Sequence, residues 1–215
     1  MAARDLQTTP DMTLSSPSWS QLAGLRVLLL DDGQRRSPLI RMELIRLRCQ
    51  LVEVLDGADG LGAALTRQSP ELVIIDSAAP SAALLDAISA AQQAQRRPVL
   101  LLAEDADGDT MRAALKADIC LLGVLPLQPQ KLGALLELTL IRFQHDQSLR
   151  DELQRARHQL AERKDVERAK GILMREHGLD EDAAYQRLRR LAMDGGLTLG
   201  AMAQRLIDAQ ALLKP

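Results

Sequence analysis

Five short apolar runs separated by helix-length segments constrain this chain more than any other feature. They are Arg26 to Asp32, Leu51 to Leu55, Glu71 to Asp76, Pro98 to Ala103 and Ile119 to Leu125. Each is nearly continuous in its apolar character instead of alternating, as befits strands covered on both faces. The stretches between them, from Ser37, from Ala58 to Arg67, from Ser81 to Gln93 and from Asp109 to Ala117, have helical length. Ser37 is placed to cap Pro38 at the first helical position. Leu39, Met42, Leu44, Ile45 and Leu47 would then form that helix's apolar side. Strands alternating with helices over about 120 residues predict an α/β domain, a doubly wound five-stranded parallel sheet whose ligands sit at the carboxyl ends of the strands.

Asp31, Asp32 and Asp76 fall at such ends. Three carboxylates gathered there repel one another unless a proton or a hard cation lies among them, a setting that suits Mg2+. A solvated acidic edge accounts for the same residues more simply. Residues 25 to about 140 resemble a response-regulator receiver domain. By that resemblance Asp31 and Asp32 are the metal pair and Asp76 is the phospho-acceptor position. The same resemblance puts a Ser or Thr at the end of the fourth strand and a Lys before Pro at the end of the fifth. Here those positions are Ala103 and Leu125, the latter before Pro126. Alanine donates no hydrogen bond to a phosphoryl oxygen, and leucine offers no cation. The expectation is a pseudo-receiver over residues 24–140 that requires no cofactor and does not use Asp76 as an acceptor, with Mg2+ as the one option.

Residues 1–23 are rich in Ser, Thr, Pro and Gln and predict a disordered tail. No signal-peptide run and no stretch of about 18 apolar residues is present, so a cytoplasmic protein is expected. Cys49 and Cys120 have no metal-ligand spacing and are expected as reduced core residues. With one Trp, one Tyr and one Phe in 215 residues, the chain lacks the aromatic surface that binds single-stranded nucleic acid by stacking. Charge divides unevenly: residues 1–141 carry 13 basic and 17 acidic side chains, residues 142–215 carry 14 and 12. A polyanion partner or an ordinary solvated helix face would each produce that balance.

From Leu138 the sequence is dominated by Leu, Ala, Arg, Glu and Gln, which predicts a long helix. Leu149, Leu153, Ala156 and Leu160 recur at intervals of four, three and four, a narrow apolar seam. A coiled-coil connector over residues 141–165, and hence a homodimer, fits that seam better than packing on the chain's own domain; a different partner protein is the other candidate. Gly178 ends the helix. The next starts with Asp180, Glu181 and Asp182 and finishes with Arg187, Arg189 and Arg190, an order the helix dipole favours, and buries Ala184, Leu188 and Leu191. Gly195 and Gly196 turn the chain, Thr198 caps the last helix, and Leu199, Met202, Ala203, Leu206 and Ile207 stripe it. Residues 166–213 therefore predict a small three-helix bundle. Tyr185 and Arg189 share one face of its second helix, and Arg168 and Arg175 one face of its first. Such residues clamp a nucleotide, though a packed ring beside a solvated base is the ordinary explanation. A helix-turn-helix beginning near Leu197 would lack its recognition helix, since eight residues follow Ile207.

The run Glu167-Arg-Ala-Lys-Gly-Ile-Leu-Met174, followed by Ala184-Tyr185 and Leu188-Arg-Arg-Leu-Ala192-Met193, is similar to the ANTAR domain. The resemblance implies binding to paired RNA stem-loops with small loops, and transcription antitermination. Ala169, Gly171 and Met174 match its first helix; Ala184, Tyr185, Arg189 and Ala192 match its second. The small residues are expected to allow close helix packing. Lys170, Arg175, Tyr185, Arg189 and Arg190 are the expected RNA contacts, with Arg168 and Lys164 adding phosphate attraction. The order pseudo-receiver, connector and ANTAR module resembles the AmiR/NasT antiterminator family. The run from Arg142 to Leu153 and that from Gln159 to Lys164 look nearer its NasT branch. That implies control of nitrate and nitrite assimilation genes and a nitrate-sensing, NasS-like partner protein. The alternative is a phosphorylation-gated response regulator whose C-terminal helices dimerise or bind a protein. An enzyme is not expected, because no electrophile-stabilising base falls near the acidic strand ends.

Overall fold

The computed structural model describes residues 22–33, 37–104, 107–124 and 128–213. Two compact units divide the chain, Met1–Gln144 and His145–Pro215. Of the expected tail, residues 1–21 lie outside the described part, whereas Leu22 is fully buried in the first unit's core.

Strands β1 (Arg26–Asp31), β2 (Gln50–Leu55), β3 (Leu72–Asp76), β4 (Val99–Ala103) and β5 (Leu121–Val124) form a parallel sheet in the order β2-β1-β3-β4-β5. The helices between them are α1 (Ser37–Arg46), α2 (Leu61–Gln68), α3 (Ala82–Ala94) and α4 (Gly108–Lys116). Strand side chains alternate between two cores, which is why the apolar runs are continuous. Leu28, Leu30, Val73, Ile75, Val99 and Leu101 meet α2, α3 and α4 through Leu61, Leu65, Leu84, Ile88 and Ala114. Val27, Leu29, Leu72, Ile74, Leu100 and Leu102 meet Ile40 and Leu44 of α1 on the opposite face, with Leu132 and Leu136. The expected five-stranded parallel sheet is thus the observed one.

Helix α1 departs from its expected packing. Ile40, Leu44 and Leu47 turn inward, while Leu39, Met42 and Ile45 are 55%, 68% and 74% exposed. The inward set follows the helical repeat of four and three residues; the adjacent apolar residues simply lie on the other side. Glu43 is also buried and is held by Arg46 in a two-pronged ion pair. Ser37 belongs to the helix itself and donates its hydroxyl to Asp31 Oδ2 instead of acting as the cap.

A 3-10 turn (Pro129–Lys131) leads into α5 (Leu132–His177), a single helix that begins before the expected connector and continues into the C-terminal module. The lone Phe of the chain, Phe143, lies under the Arg96 guanidinium, 5.5 Å from its ring centre, and Arg96 also pairs with Asp118 at 2.5 Å. Gly178 (φ +63°) ends α5, since only glycine adopts that left-handed conformation at no steric cost. Helices α6 (Glu181–Asp194) and α7 (Leu199–Leu213) complete the second unit. No helix among the described residues is long and apolar enough to cross a membrane.

Candidate nucleic-acid interface

The C-terminal bundle is closed by small residues. Ala169, Ala184 and Ala203 are fully buried with Leu173 and Leu188, and Val166, Leu179, Leu199, Met202 and Leu206 pack round them. Ala192, rather than the expected Leu191, completes the inner face of α6, because it follows Leu188 by four residues. The expected cap of α7 forms, with Thr198 Oγ1 accepting from the Ala201 amide at 3.2 Å. Asp180, expected only as an acid favoured by the helix dipole, caps α6 through Oδ1, which accepts from the Ala183 amide at 2.7 Å. The arginines of α6 stop one turn short of its end, so their support from the helix dipole is smaller than expected.

The seven expected contact residues separate into two groups. Lys164, Arg168, Arg175, Tyr185, Arg189 and Arg190 are exposed, Tyr185 at 39%. No ion pair engages the five bases of that group among the described residues. Lys170 differs: its side chain is 10% exposed, and its ammonium lies 3.0 Å from both Glu167 oxygens and 2.7 Å from Glu181 Oε1. Glu181 first and Glu167 second push the ammonium's pKa up, against the burial of its stem. The same contact holds the Glu181 carboxyl below its ordinary range. Lys170 therefore ties α5 to the first turn of α6, one turn ahead of Tyr185 and two ahead of Arg189. The Glu167–Lys170 spacing was legible as a helical pair; the Glu181 partner, eleven residues away across a turn, was not.

Gly171 also differs from expectation. A Cβ added there would meet nothing within 4 Å, whereas one on Gly200 of α7 would stand 2.8 Å from Glu162 Oε1. Close helix packing thus explains Gly200, whereas Gly171 has no such neighbour within 4 Å among the described residues.

At the other unit's acidic edge, Asp31 and Asp76 are register partners on adjacent strands. Asp76 is fully buried, and Asp31 is 8% exposed. Asp32 Oδ2 accepts from Ser77 Oγ at 2.8 Å, and its amide donates to the Asp76 carbonyl at 2.8 Å. Asp31, Asp32 and Asp56 border an open hollow with Gly33 and Gly57, and Asp76 is not in its lining. No group of three or more His, Cys, Asp or Glu among the described residues is placed to hold a metal ion. Ala103 ends β4 fully buried; Leu125 and Pro126 lie outside the described residues. Cys49 is half-buried, and burial pushes its thiol up to about 11, which leaves it protonated and unreactive.

Comparison with known proteins agrees with both halves. The ANTAR domain model matches residues 154–207. The transcriptional regulatory protein PdtaR of Mycobacterium tuberculosis is 31% identical over 187 residues, which is 85% of this chain and 89% of that protein. A nitrate regulatory protein of Klebsiella oxytoca is 39% identical over 77 residues, covering 35% of this chain and 19% of the relative. Among solved structures, the signal receiver domain of a modulated diguanylate cyclase from Desulfovibrio desulfuricans has a TM-score of 0.50 at 16% identity. It aligns with 57% of this chain and 98% of its own. The receiver domain of a LuxO repressor protein from Vibrio parahaemolyticus also gives 0.50 at 16% identity, over 59% of this chain and 97% of its own. Those likenesses assign a receiver fold to the sheet unit. With a relative of that identity along most of both chains and an ANTAR match over the bundle, the chain belongs to the ANTAR-domain response regulators.

Proposed function

We propose that the protein is a transcription antiterminator that binds paired stem-loops in leader RNA through its C-terminal bundle, and regulates without catalysing a reaction. The observation that carries this reading is the set of exposed bases on α5 and α6 beside the half-exposed Tyr185. RNA loops display base faces and edges that A-form duplex hides, so a ring and a guanidinium four residues apart suit them. In this reading Tyr185 and Arg189 meet loop bases, and Arg168, Arg175, Arg190 and Lys164 meet phosphates. Lys170 serves from beneath, by holding the start of α6 in place.

Leu149, Leu153 and Leu160 are 51%, 51% and 56% exposed in the single chain. Covering each would gain about 1 kcal/mol, which supports a homodimer through this seam. The nitrate regulatory relative, the NasT-like runs and the buried Asp76 favour cytoplasmic control of nitrate and nitrite assimilation genes by a nitrate-sensing, NasS-like partner rather than by phosphorylation. Gel shift on a two-hairpin leader RNA tests the reading. Tyr185→Ala and Arg189→Ala should each weaken binding by about 1–3 kcal/mol, and Arg168→Gln should reduce the salt dependence by about one phosphate contact. Unchanged affinity in all three, or binding that appears only after treatment with a phosphodonor and Mg2+, would sink it.

A further inference from the structure

We infer that Gly171 is the floor of a notch in which the sugar-phosphate backbone of the RNA seats against α5; this rests on the RNA-binding reading above. Gly171 lies well inside a 46-residue helix. Its backbone is not among the positive-φ residues, so the conformation does not call for glycine. Glycine is disfavoured at such a position relative to alanine, and a Cβ would meet nothing within 4 Å. The fold therefore loses stability by having glycine here and gains no packing in return. Gly200, in the same bundle, shows the opposite case, with a neighbouring carboxylate occupying the space its missing Cβ leaves.

The surroundings identify the occupant. Lys164, Arg168, Gly171 and Arg175 succeed one another at intervals of four, three and four residues, which places them on one face of α5. All three bases are exposed. Ala169 and Leu173 are buried in the bundle's core, so the glycine interrupts a basic ridge and not the packed side of the helix. A second copy of the chain laid on this ridge would set arginine against arginine. A polyanion gains from the charge on both sides of the gap and, with no side chain at the centre, its backbone approaches the helix to within van der Waals contact.

The test uses the full-length protein and an RNA selected from a randomised two-hairpin pool by retention on the wild-type chain. Gly171→Ala should raise the melting temperature while weakening that RNA at least fivefold, and Gly171→Leu should weaken it further with helix content unchanged. Opposite signs for stability and affinity are what a purely structural glycine would not produce. Wild-type affinity in both variants overturns the inference. So does a loss of affinity that follows a fall in melting temperature, which would make the glycine a folding device, or one that follows loss of a dimer in sedimentation, which would assign the notch to a second copy. If the wild-type chain retains no RNA from the pool, the antiterminator reading itself fails, before any variant is compared.

Discussion

The two units solve the burial problem in opposite ways. In the sheet unit the core is made of large aliphatic chains, Leu28, Leu30, Ile74, Ile75, Leu100 and Leu101, each fully buried between the sheet and a helical layer. In the bundle the centre is alanine: Ala169, Ala184 and Ala203, with only Leu173 and Leu188 as large members. A sheet and a helix stand far enough apart to need long side chains, whereas helices packed through alanines gain contact by approaching closely. Charge follows the same division. The sheet unit buries Asp31, Glu43 and Asp76, while the bundle presents most of its bases to solvent. Those exposed bases are what the RNA-binding proposal rests on.

The sharpest way to break this contrast is to make opposite changes of volume in the two cores. Leu101→Ala should destabilise the sheet unit by about 3 kcal/mol, because a strand buried on both faces collapses poorly around a cavity. Ala184→Leu should cost the bundle about 2 kcal/mol by overpacking, the reverse sensitivity. Hydrogen exchange followed by mass spectrometry would localise each effect. Protection lost in both units from either substitution would mean that the two cores are not independent.

Two smaller effects sharpen the account of the bundle. Asp180→Ala removes the cap of α6 and should cost about 1 kcal/mol, seen as faster amide exchange from Glu181 to Ala184. Lys170→Met keeps the buried stem and deletes the ammonium. Glu181 and Glu167 are 70% and 63% exposed, so water replaces the lost contact and stability should move little. The Glu181 carboxyl should return to its ordinary range, as an NMR titration would report. The sign of the pH dependence follows from the two shifts. Glu181 is depressed, so its contribution is present above its unfolded pKa and is lost as pH falls through the folded value. Lys170 is raised, so its contribution is present below its unfolded pKa and is lost as pH rises through the folded value. The tie is therefore constant through neutrality and fails only in acid and strong alkali. A bundle that loosened between pH 6 and 8 would contradict it.

Much of the molecule was legible one residue at a time. The strands were visible because a parallel strand covered on both faces must be apolar at every position, and the Thr198 cap because few residue types accept from a helix's first amides. The acids at strand ends and the bases on α5 and α6 were located by the helical and strand repeats alone. Which apolar residues of α1 face inward was not legible, since Leu39, Ile40, Met42, Leu44 and Ile45 surround the helix on several sides. Only the position of the sheet selects Ile40 and Leu44.

The same limit applies at the interface. Local sequence determined the sheet, the long helix, the alanine-packed bundle and the list of bases, because each follows from periodicity over a few neighbouring residues. Tertiary structure decided what each of those residues faces. Lys170 turned inward to a carboxylate that another helix supplies, Gly200 is filled by Glu162, and Gly171 is open. A side chain's type records what it can bind; only the approach of distant segments in three dimensions decides whether its partner lies inside the molecule or is left for another one to provide.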